Sequence, residues 1–251
     1  MADHLGDHSD SVDHSRKTRS LLFSIWGLVV APVVILLLIA LLLPAVRTAR
    51  EPARRNDCLA HLRGIAIAIQ NYVDENGHLP PAYTVDAEGN RLHSWRTLIL
   101  PYMDEKPLFE RIDLTKPWDD PANAEAREQT IPNYLCASAP YEDERLTTYL
   151  AVVGPDCAFS GSVPHKLSEV TDGTGDAIFV VDAPFDQAVH WMSPHDVSAE
   201  EVLAYPKAKM NHGGVFQAAF LDGHAKAVSL DIDREELRSM LTIAGGEARE
   251  N

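Results

Sequence analysis

The chain has 251 residues, 45% of them hydrophobic, and a formal net charge of −15 at pH 7. The charge is uneven: residues 1–20 carry −1, residues 47–63 carry +3, and the sequence after residue 63 carries −17. Such an acidic region repels nucleic acid phosphates, and we therefore exclude nucleic acid as a partner. The same region is long enough to form one ordinary domain with its own hydrophobic core.

The N-terminal part of the chain predicts a tail followed by a membrane anchor. Residues 1–20 are polar, acidic and rich in His, which is typical of a disordered segment. Residues 21–46 are apolar or small and carry no charge. Roughly 20 apolar residues span a bilayer as a helix, so we predict a single transmembrane helix with the lipid bilayer as its partner. The cleavage site around Ala45 and Val46 is poor, so we expect the span to be retained.

The charges and the cysteines leave open which side of the membrane the domain faces. Three Lys or Arg residues precede the span and five follow it, which favours a cytoplasmic domain under the positive-inside rule. Cys58, Cys136 and Cys157 allow at most one disulfide in an oxidising compartment, whereas in the cytosol all three would be buried thiols. A cytoplasm-facing signalling domain is therefore one hypothesis.

After the span, residues 47–76 continue as an amphipathic helix. Apolar side chains from Leu59 to Tyr72 recur at helical spacing, and Gly77 with the two prolines that follow ends the helix. We expect this helix to pack on a sheet formed within residues 77–251.

The sheet is predicted from short apolar segments. Residues 147–154 and 176–183 are typical of strands, and residues 215–230 predict a hairpin that turns at Asp222 and Gly223. Capping patterns at Ser198 and Asp233 predict two further helices. The predicted fold class is therefore α+β, with a long N-terminal helix on an antiparallel sheet.

Candidate metal ligands concentrate in the C-terminal half of the chain. They are His190, His195, Asp196, His212, Asp222 and His224. All are ligand types, but their spacing is not that of a known zinc motif. His212 and Asp222 flank a predicted strand, which separates them too far for contact at about 3.3 Å per residue. We predict no catalytic residue, no metal and no cofactor; the alternative is a membrane-tethered metal-binding or metal-dependent hydrolytic module that uses this cluster.

An ordered series of motifs between about residues 38 and 247 resembles the planctomycete domain-of-unknown-function family 1559. The motifs include ARRNDCLAHLRGIAIAIQNY, HSWRTLILPY, IPNYLC, VTDGTGDAIFVVD and MNHGGVFQAAFLDGH. The last one carries the His-x9-Asp-Gly signature of the family, as His212, Asp222 and Gly223. The resemblance implies a prepilin-type N terminus, a pilin-like or pseudopilin-like fold, an extracytoplasmic domain and no established enzymatic activity. We expect a structural role for the signature.

The resemblance has two further implications. Family members usually have a Gly before the processing site and a Glu shortly after it, but Leu22 and Gly27 stand at these positions here. We therefore predict that prepilin peptidase does not process the chain. Cys58 and Cys136 match the two positions where the family most often has Cys, which implies a disulfide between the helix and the sheet.

Together these features predict a non-enzymatic, single-pass envelope protein with a pseudopilin-like extracytoplasmic domain. Its expected partners, besides the bilayer, are envelope proteins or proteins of secretion and pilus-like systems.

Overall fold

The computed structural model describes the backbone of residues 10–244, with side chains over residues 30–39 and 50–244. The chain divides into two compact units, Met1–Arg50 and Glu51–Asn251. The first helix, α1, comprises Asp10–Asn76. It ends where the sequence predicts, because Gly77 has a φ of 79° and its N–H donates to Val73 O at 2.7 Å.

The N-terminal part of α1 differs from the predicted disordered tail. Residues 10–20 are helical, and residues 1–9 lie outside the described residues. Once a helix has formed, each added residue gains a hydrogen bond without a new nucleation cost, which favours such an extension. The predicted span, residues 21–46, has described side chains only over residues 30–39. In the part of the chain that the structure describes, no helix is long and apolar enough to cross a membrane.

The elements after α1 are short. The helices are α2 (Trp95–Leu98), α3 (Lys106–Phe109), α4 (Ala124–Arg127), α5 (Ala199–Leu203) and α6 (Arg234–Leu241). The strands are β1 (Tyr83–Val85), β2 (Arg91–Ser94), β3 (Leu146–Thr147), β4 (Tyr149–Val153), β5 (Ile178–Asp182), β6 (Val189–His190), β7 (Val197–Ser198), β8 (Val215–Phe220) and β9 (Ala225–Ser229). The fold class is α+β, as predicted.

The central sheet has the strand order β7-β4-β5-β8-β9. Its neighbouring strands are antiparallel, except for the parallel pair β4 and β7. The predicted hairpin is confirmed: β8 and β9 pair from Val215 with Ser229 to Ala219 with Ala225. Gly223 lies in the turn with a φ of 97°, a conformation that favours glycine.

Both faces of the central sheet are buried, whereas the sequence predicted only the contact with α1 and gave no position for the two C-terminal helices. Alternate strand residues face two separate hydrophobic clusters. The first joins Tyr149, Ala151 and Phe179 to the α1 residues Cys58, Leu62, Ile65 and Ile69. The second joins Leu150, Val152, Ile178, Val181 and Phe216 to Val202 of α5 and Leu237 and Met240 of α6. This double burial explains why β4 and β5 are nearly continuous apolar runs.

The two predicted capping sites are occupied. Ser198 and Glu201 form a reciprocal capping box at the start of α5. Asp233 accepts hydrogen bonds from the backbone N–H groups of Glu235 and Glu236 at 2.9 and 3.2 Å, and so caps α6. Both caps fix helices that cover the second face of the sheet.

Candidate functional site

The signature residues lie at opposite ends of β8. His212 lies in the loop before the strand, and Asp222 and Gly223 lie in the turn after it. A strand of this length separates its ends by roughly 20 Å. The side chains of His212 and Asp222 therefore do not act together, as the sequence predicts.

The turn at Asp222 and Gly223 lies against α1. Gln70 Nε2 donates to Leu221 O at 3.3 Å, and a Cβ added to Gly223 would approach the Gln70 side-chain amide within 3.0 Å. Asp222 Oδ1 accepts hydrogen bonds from the backbone N–H of His224 at 3.1 Å and from its Nδ1 at 2.6 Å. The glycine of the signature thus permits close contact between the hairpin and the helix.

At the other end of β8, His212 belongs to a buried group of polar side chains. We name Cys58, Cys136, Asp182 and His212 the thiol–histidine cluster; each is at most 1% exposed. The Sγ atoms of Cys58 and Cys136 lie 2.8 Å apart, and His212 Nε2 lies 3.3 Å from Cys136 Sγ. Asp182 Oδ2 lies 3.1 Å from Cys136 Sγ and 3.5 Å from His212 Nε2. Four functional groups from distant parts of the chain therefore converge.

Separate elements position the cluster residues. Cys58 lies on the buried stripe of α1, seven residues after Glu51, so both side chains share one helix face. Cys136 follows a short 3₁₀ turn, Pro132–Tyr134, and Asp182 is the last residue of β5. Gly213 and Gly214, with φ values of 44° and 78°, let the backbone turn directly after His212.

Surrounding groups orient the cluster through hydrogen bonds. His212 Nδ1 lies 3.1 Å from Glu51 Oε1. Asp182 Oδ1 accepts hydrogen bonds from Thr148 Oγ1 at 2.5 Å and Asn211 Nδ2 at 2.9 Å. The backbone N–H of Ala137 donates to Cys58 Sγ at 3.1 Å. These contacts leave Asp182 Oδ2 and His212 Nε2 directed at Cys136 Sγ.

The cluster shifts the pKa values of its members in different directions. The hydrogen bond from Cys136 lowers the pKa of the Cys58 thiol, against the effect of burial, while that of Cys136 is raised. Burial raises the pKa of Asp182 to about 6. Burial lowers the pKa of His212, but its contacts with Cys58, Asp182 and Glu51 outweigh this and raise it overall. The close contact between the two sulfur atoms therefore acts in opposite directions on the two thiol pKa values.

The structure brings together the two cysteines for which the resemblance implies a disulfide. Both are free thiols here, and their sulfur separation of 2.8 Å exceeds the bond length of about 2.05 Å. The disulfide stays a prediction. Cys157 lies outside the cluster, where burial raises its thiol pKa to about 12.

The six metal ligands considered from the sequence do not form a group among the described residues with donor atoms close enough to share a metal ion. His224 pairs with Asp222, His195 Nδ1 lies 2.7 Å from Ser193 Oγ, and His190 Nε2 lies 3.1 Å from Arg127 O. Among the side chains that the structure describes, Cys58, Cys136 and His212 are the group whose donor atoms are close enough to share a metal ion. Spacing rules missed this group because its members are far apart in sequence.

A second buried polar centre surrounds Arg96 in α2, which sequence reasoning also missed. The guanidinium donates to the carbonyl oxygens of Tyr149, Trp191, Ser193 and His195 at 2.8 to 3.1 Å. It also forms a 2.7 Å ion pair with Asp196, whose pKa is raised by burial. The sequence contained one indication of this centre, because a single arginine interrupts the largely apolar motif HSWRTLILPY.

The fold and the cluster define an α+β domain in which a long helix meets a sheet at a buried thiol–histidine centre. The sequence profile of the family described as "Protein of unknown function (DUF1559)" matches residues 47–156, which confirms the resemblance. No curated protein and no solved structure matches the chain. The matched segment contains Cys58, Arg96 and Cys136, whereas Asp182 and the signature residues lie beyond it. The family description names no reaction.

Proposed function

We propose that this chain is a single-pass, membrane-anchored envelope protein with a pseudopilin-like domain outside the cytoplasm. Its role is structural or one of protein interaction. The bilayer holds the N-terminal helix, and the folded domain presents a surface to other envelope proteins.

The exposed apolar surface of α1 carries this proposal. Large apolar side chains between residues 30 and 39 are 41 to 65% exposed: Val30, Val33, Val34, Ile35, Leu36, Leu37, Leu38 and Ile39. Soluble monomers rarely leave so continuous an apolar surface uncovered. Bilayer hydrocarbon would cover it on all sides, and the apolar sequence continues in both directions over residues 21–46.

Two observations support a role without catalysis. The members of the thiol–histidine cluster are at most 1% exposed, so a substrate could reach them only if the domain opened. The long helix packed on a mostly antiparallel sheet agrees with the pseudopilin-like fold that the resemblance implies.

Leu22 and Gly27, in place of the family's Gly and Glu, favour an anchor that is retained in the bilayer over a filament subunit.

Protease protection in spheroplasts tests the anchor and its orientation. One tag precedes residue 21 and a second follows Asn251. Added protease should remove the C-terminal tag and leave the N-terminal tag on a shortened fragment, whereas before digestion both tags should report the full-length mass. Protection of the C-terminal tag would contradict the extracytoplasmic placement. A new N terminus near Phe23, found by mass spectrometry, would contradict the retained anchor.

Substitution of the exposed apolar surface tests the membrane contact itself. Val34→Arg with Leu37→Arg should move the chain into the alkaline carbonate extract, because each Arg at a helix centre opposes insertion by roughly 2.5 to 3.5 kcal/mol. Ile67→Arg is the matched control, since Ile67 is also an exposed apolar residue of α1 at 52% but lies in the second unit. Equal extraction of the double variant and the control would count against the anchor.

A further inference from the structure

We infer that the thiol–histidine cluster is a zinc site in which Cys58, Cys136 and His212 supply three ligands and the neighbouring carboxylate of Asp182 supplies the fourth. Their donor atoms are two sulfurs, one imidazole nitrogen and one carboxylate oxygen, the types that Zn²⁺ binds in tetrahedral protein sites. The zinc would join α1, the segment after residue 134, and the ends of two strands. This inference is independent of the proposed function, because it holds on either side of a membrane.

The distances between donor atoms are close to those of such a site. Zinc bonds of about 2.3 Å to sulfur and 2.0 Å to nitrogen place sulfur and nitrogen about 3.5 Å apart and two sulfurs about 3.8 Å apart. His212 Nε2 and Cys136 Sγ are 3.3 Å apart, and Asp182 Oδ2 lies 3.1 Å from the same sulfur. The sulfurs of Cys58 and Cys136, at 2.8 Å, must separate by about 1 Å when zinc binds.

The groups behind the ligands are arranged as in metal sites. A metal-binding histidine usually donates its other ring N–H to a carboxylate, which fixes the tautomer that leaves a lone pair for the metal. Glu51 Oε1 lies 3.1 Å from His212 Nδ1 and is placed to accept that hydrogen bond. Thr148 and Asn211 hold Asp182 by its Oδ1 atom, so Oδ2 remains directed at the cluster.

Burial of the cluster also favours a cation. Cys136 Sγ lies 2.8 to 3.3 Å from three further atoms that can bind a metal ion: Cys58 Sγ, Asp182 Oδ2 and His212 Nε2. Burying a carboxylate together with electron-rich sulfur atoms is costly unless a positive charge compensates them. Zinc supplies that charge and displaces the thiol protons. Because four buried protein ligands leave no open position, the site would be structural.

A disulfide between Cys58 and Cys136 is the rival state of the same residues. The two states exclude each other, since both use the two sulfur atoms. A disulfide alone gives no role to the buried His212 and Asp182 or to the Glu51 contact. In the zinc site, His212 and Asp182 are ligands and Glu51 orients the imidazole.

Metal titration of the reduced full-length chain tests the site. The protein is purified in detergent, reduced with a phosphine, freed of metal, and titrated with Zn²⁺ against a chromophoric chelator. We expect one zinc ion per chain. Co²⁺ as a spectroscopic probe should give the visible bands of a tetrahedral site and a thiolate-to-cobalt charge-transfer band.

Matched variants assign the ligands. Cys58→Ser, Cys136→Ser and His212→Gln should each weaken zinc binding at least 100-fold, and Glu51→Gln should weaken it about 10- to 100-fold by removing the carboxylate charge behind the imidazole. Cys157→Ser and His224→Gln are the controls, because they remove the same residue types outside the cluster and should keep wild-type binding. Circular dichroism identifies any variant that fails to fold, and the wild-type cobalt spectrum does not depend on the variants.

Several results would overturn the inference. One is a reduced, folded wild-type chain that binds no zinc at micromolar concentration. Another is a cobalt spectrum without thiolate bands, and a third is equal loss of binding in Cys157→Ser and Cys58→Ser. Protein isolated from membranes without reductant that contains a Cys58–Cys136 disulfide and no zinc would also exclude zinc as the native occupant.

Discussion

Two buried polar centres in the described part of the domain differ in how they are balanced by a cation. Around Arg96, all five guanidinium N–H groups are paired, four interactions going to backbone carbonyls and one to Asp196. In the thiol–histidine cluster, two sulfur atoms, a carboxylate and an imidazole converge, and no Arg or Lys side chain among the described residues is hydrogen-bonded to these groups. A centre balanced by its own cation stabilises the domain as folded, whereas an unbalanced centre has a use for a further cation or for oxidation.

The largest expected effect comes from breaking the balanced centre. Arg96→Met leaves Asp196 as an uncompensated buried charge and should lower the free energy of unfolding by about 3 to 5 kcal/mol. Urea unfolding followed by circular dichroism measures this loss. Arg111→Met is the control, since its ion pair with Glu125 is largely exposed and should contribute far less. Similar losses in the two variants would show that the Arg96 centre is not a special stabilising element.

Adding zinc should complete the unbalanced centre. Free Zn²⁺ at 100 times its dissociation constant should raise the unfolding free energy of the reduced chain by about 2.7 kcal/mol, because only the folded state holds the ligands together. Cys58→Ser should show no such gain, whereas Cys157→Ser should show it in full. If the thiols are instead oxidised, the disulfide would contribute roughly 2 to 4 kcal/mol without metal, and reductant would remove it. Zinc stabilisation that persists in Cys58→Ser would contradict a role for the cluster.

A smaller effect is expected at the far end of β8, which tests whether the signature docks on α1 at both ends. Gly223→Ala forces an L residue to a φ of 97° and brings a Cβ against Gln70, so we expect a loss of about 1 to 3 kcal/mol. Gly89→Ala is the matched control, because Gly89 has a φ of 85° but no atom within 4 Å of an added Cβ. Equal melting temperatures for the two variants would mean that the contact with Gln70 is unimportant.

The smallest effect concerns the pH dependence of stability and depends on the buried side chain of His93. Burial lowers the pKa of His93, whose Nε2 lies 2.8 Å from Lys116 O and whose Nδ1 has no hydrogen-bond partner among the described residues. The unfolded chain therefore binds the proton more readily, so stability is present above the ordinary pKa of about 6.5 and is lost as pH falls below it. The loss from this group is at most about 1.4 kcal/mol per pH unit.

Urea unfolding between pH 7 and pH 5 measures this dependence. His93→Gln should reduce the loss of stability on acidification. His224→Gln is the control, because His224 is exposed and paired with Asp222. An unchanged pH dependence in His93→Gln would show that His93 is not the group that titrates.

Local sequence patterns predicted much of the fold. The end of α1 at Asn76, its buried stripe through Leu62 and Ile69, the strands β4 and β5, and the hairpin at Gly223 follow from helical spacing, alternation and turn residues. The parallel pairing of β4 with β7 did not follow from them. Neither did the second buried face, because a run that is apolar on both sides gives no alternation from which to count faces.

The candidate site could be predicted only in part. The resemblance singled out Cys58 and Cys136 as a disulfide and His212 as part of a structural signature. It gave no reason to expect the three side chains in one site. Asp182 stands at the end of an apolar strand segment and Glu51 stands between Arg50 and Arg54, and neither position by itself indicates a site. Convergence depends on tertiary packing, which spacing within one segment does not encode.

The spacing of the cluster along the chain has a consequence for the order of folding. Cys58 and Cys136 are 78 residues apart, and Cys136 and His212 are 76 apart. Closing loops of this length costs entropy, so contacts between the three groups form more slowly than local contacts within α1. During synthesis, both cysteines leave the ribosome long before the histidine does. Zinc binding, which also needs His212, would therefore mark completed molecules, while incomplete ones would keep reactive cysteines.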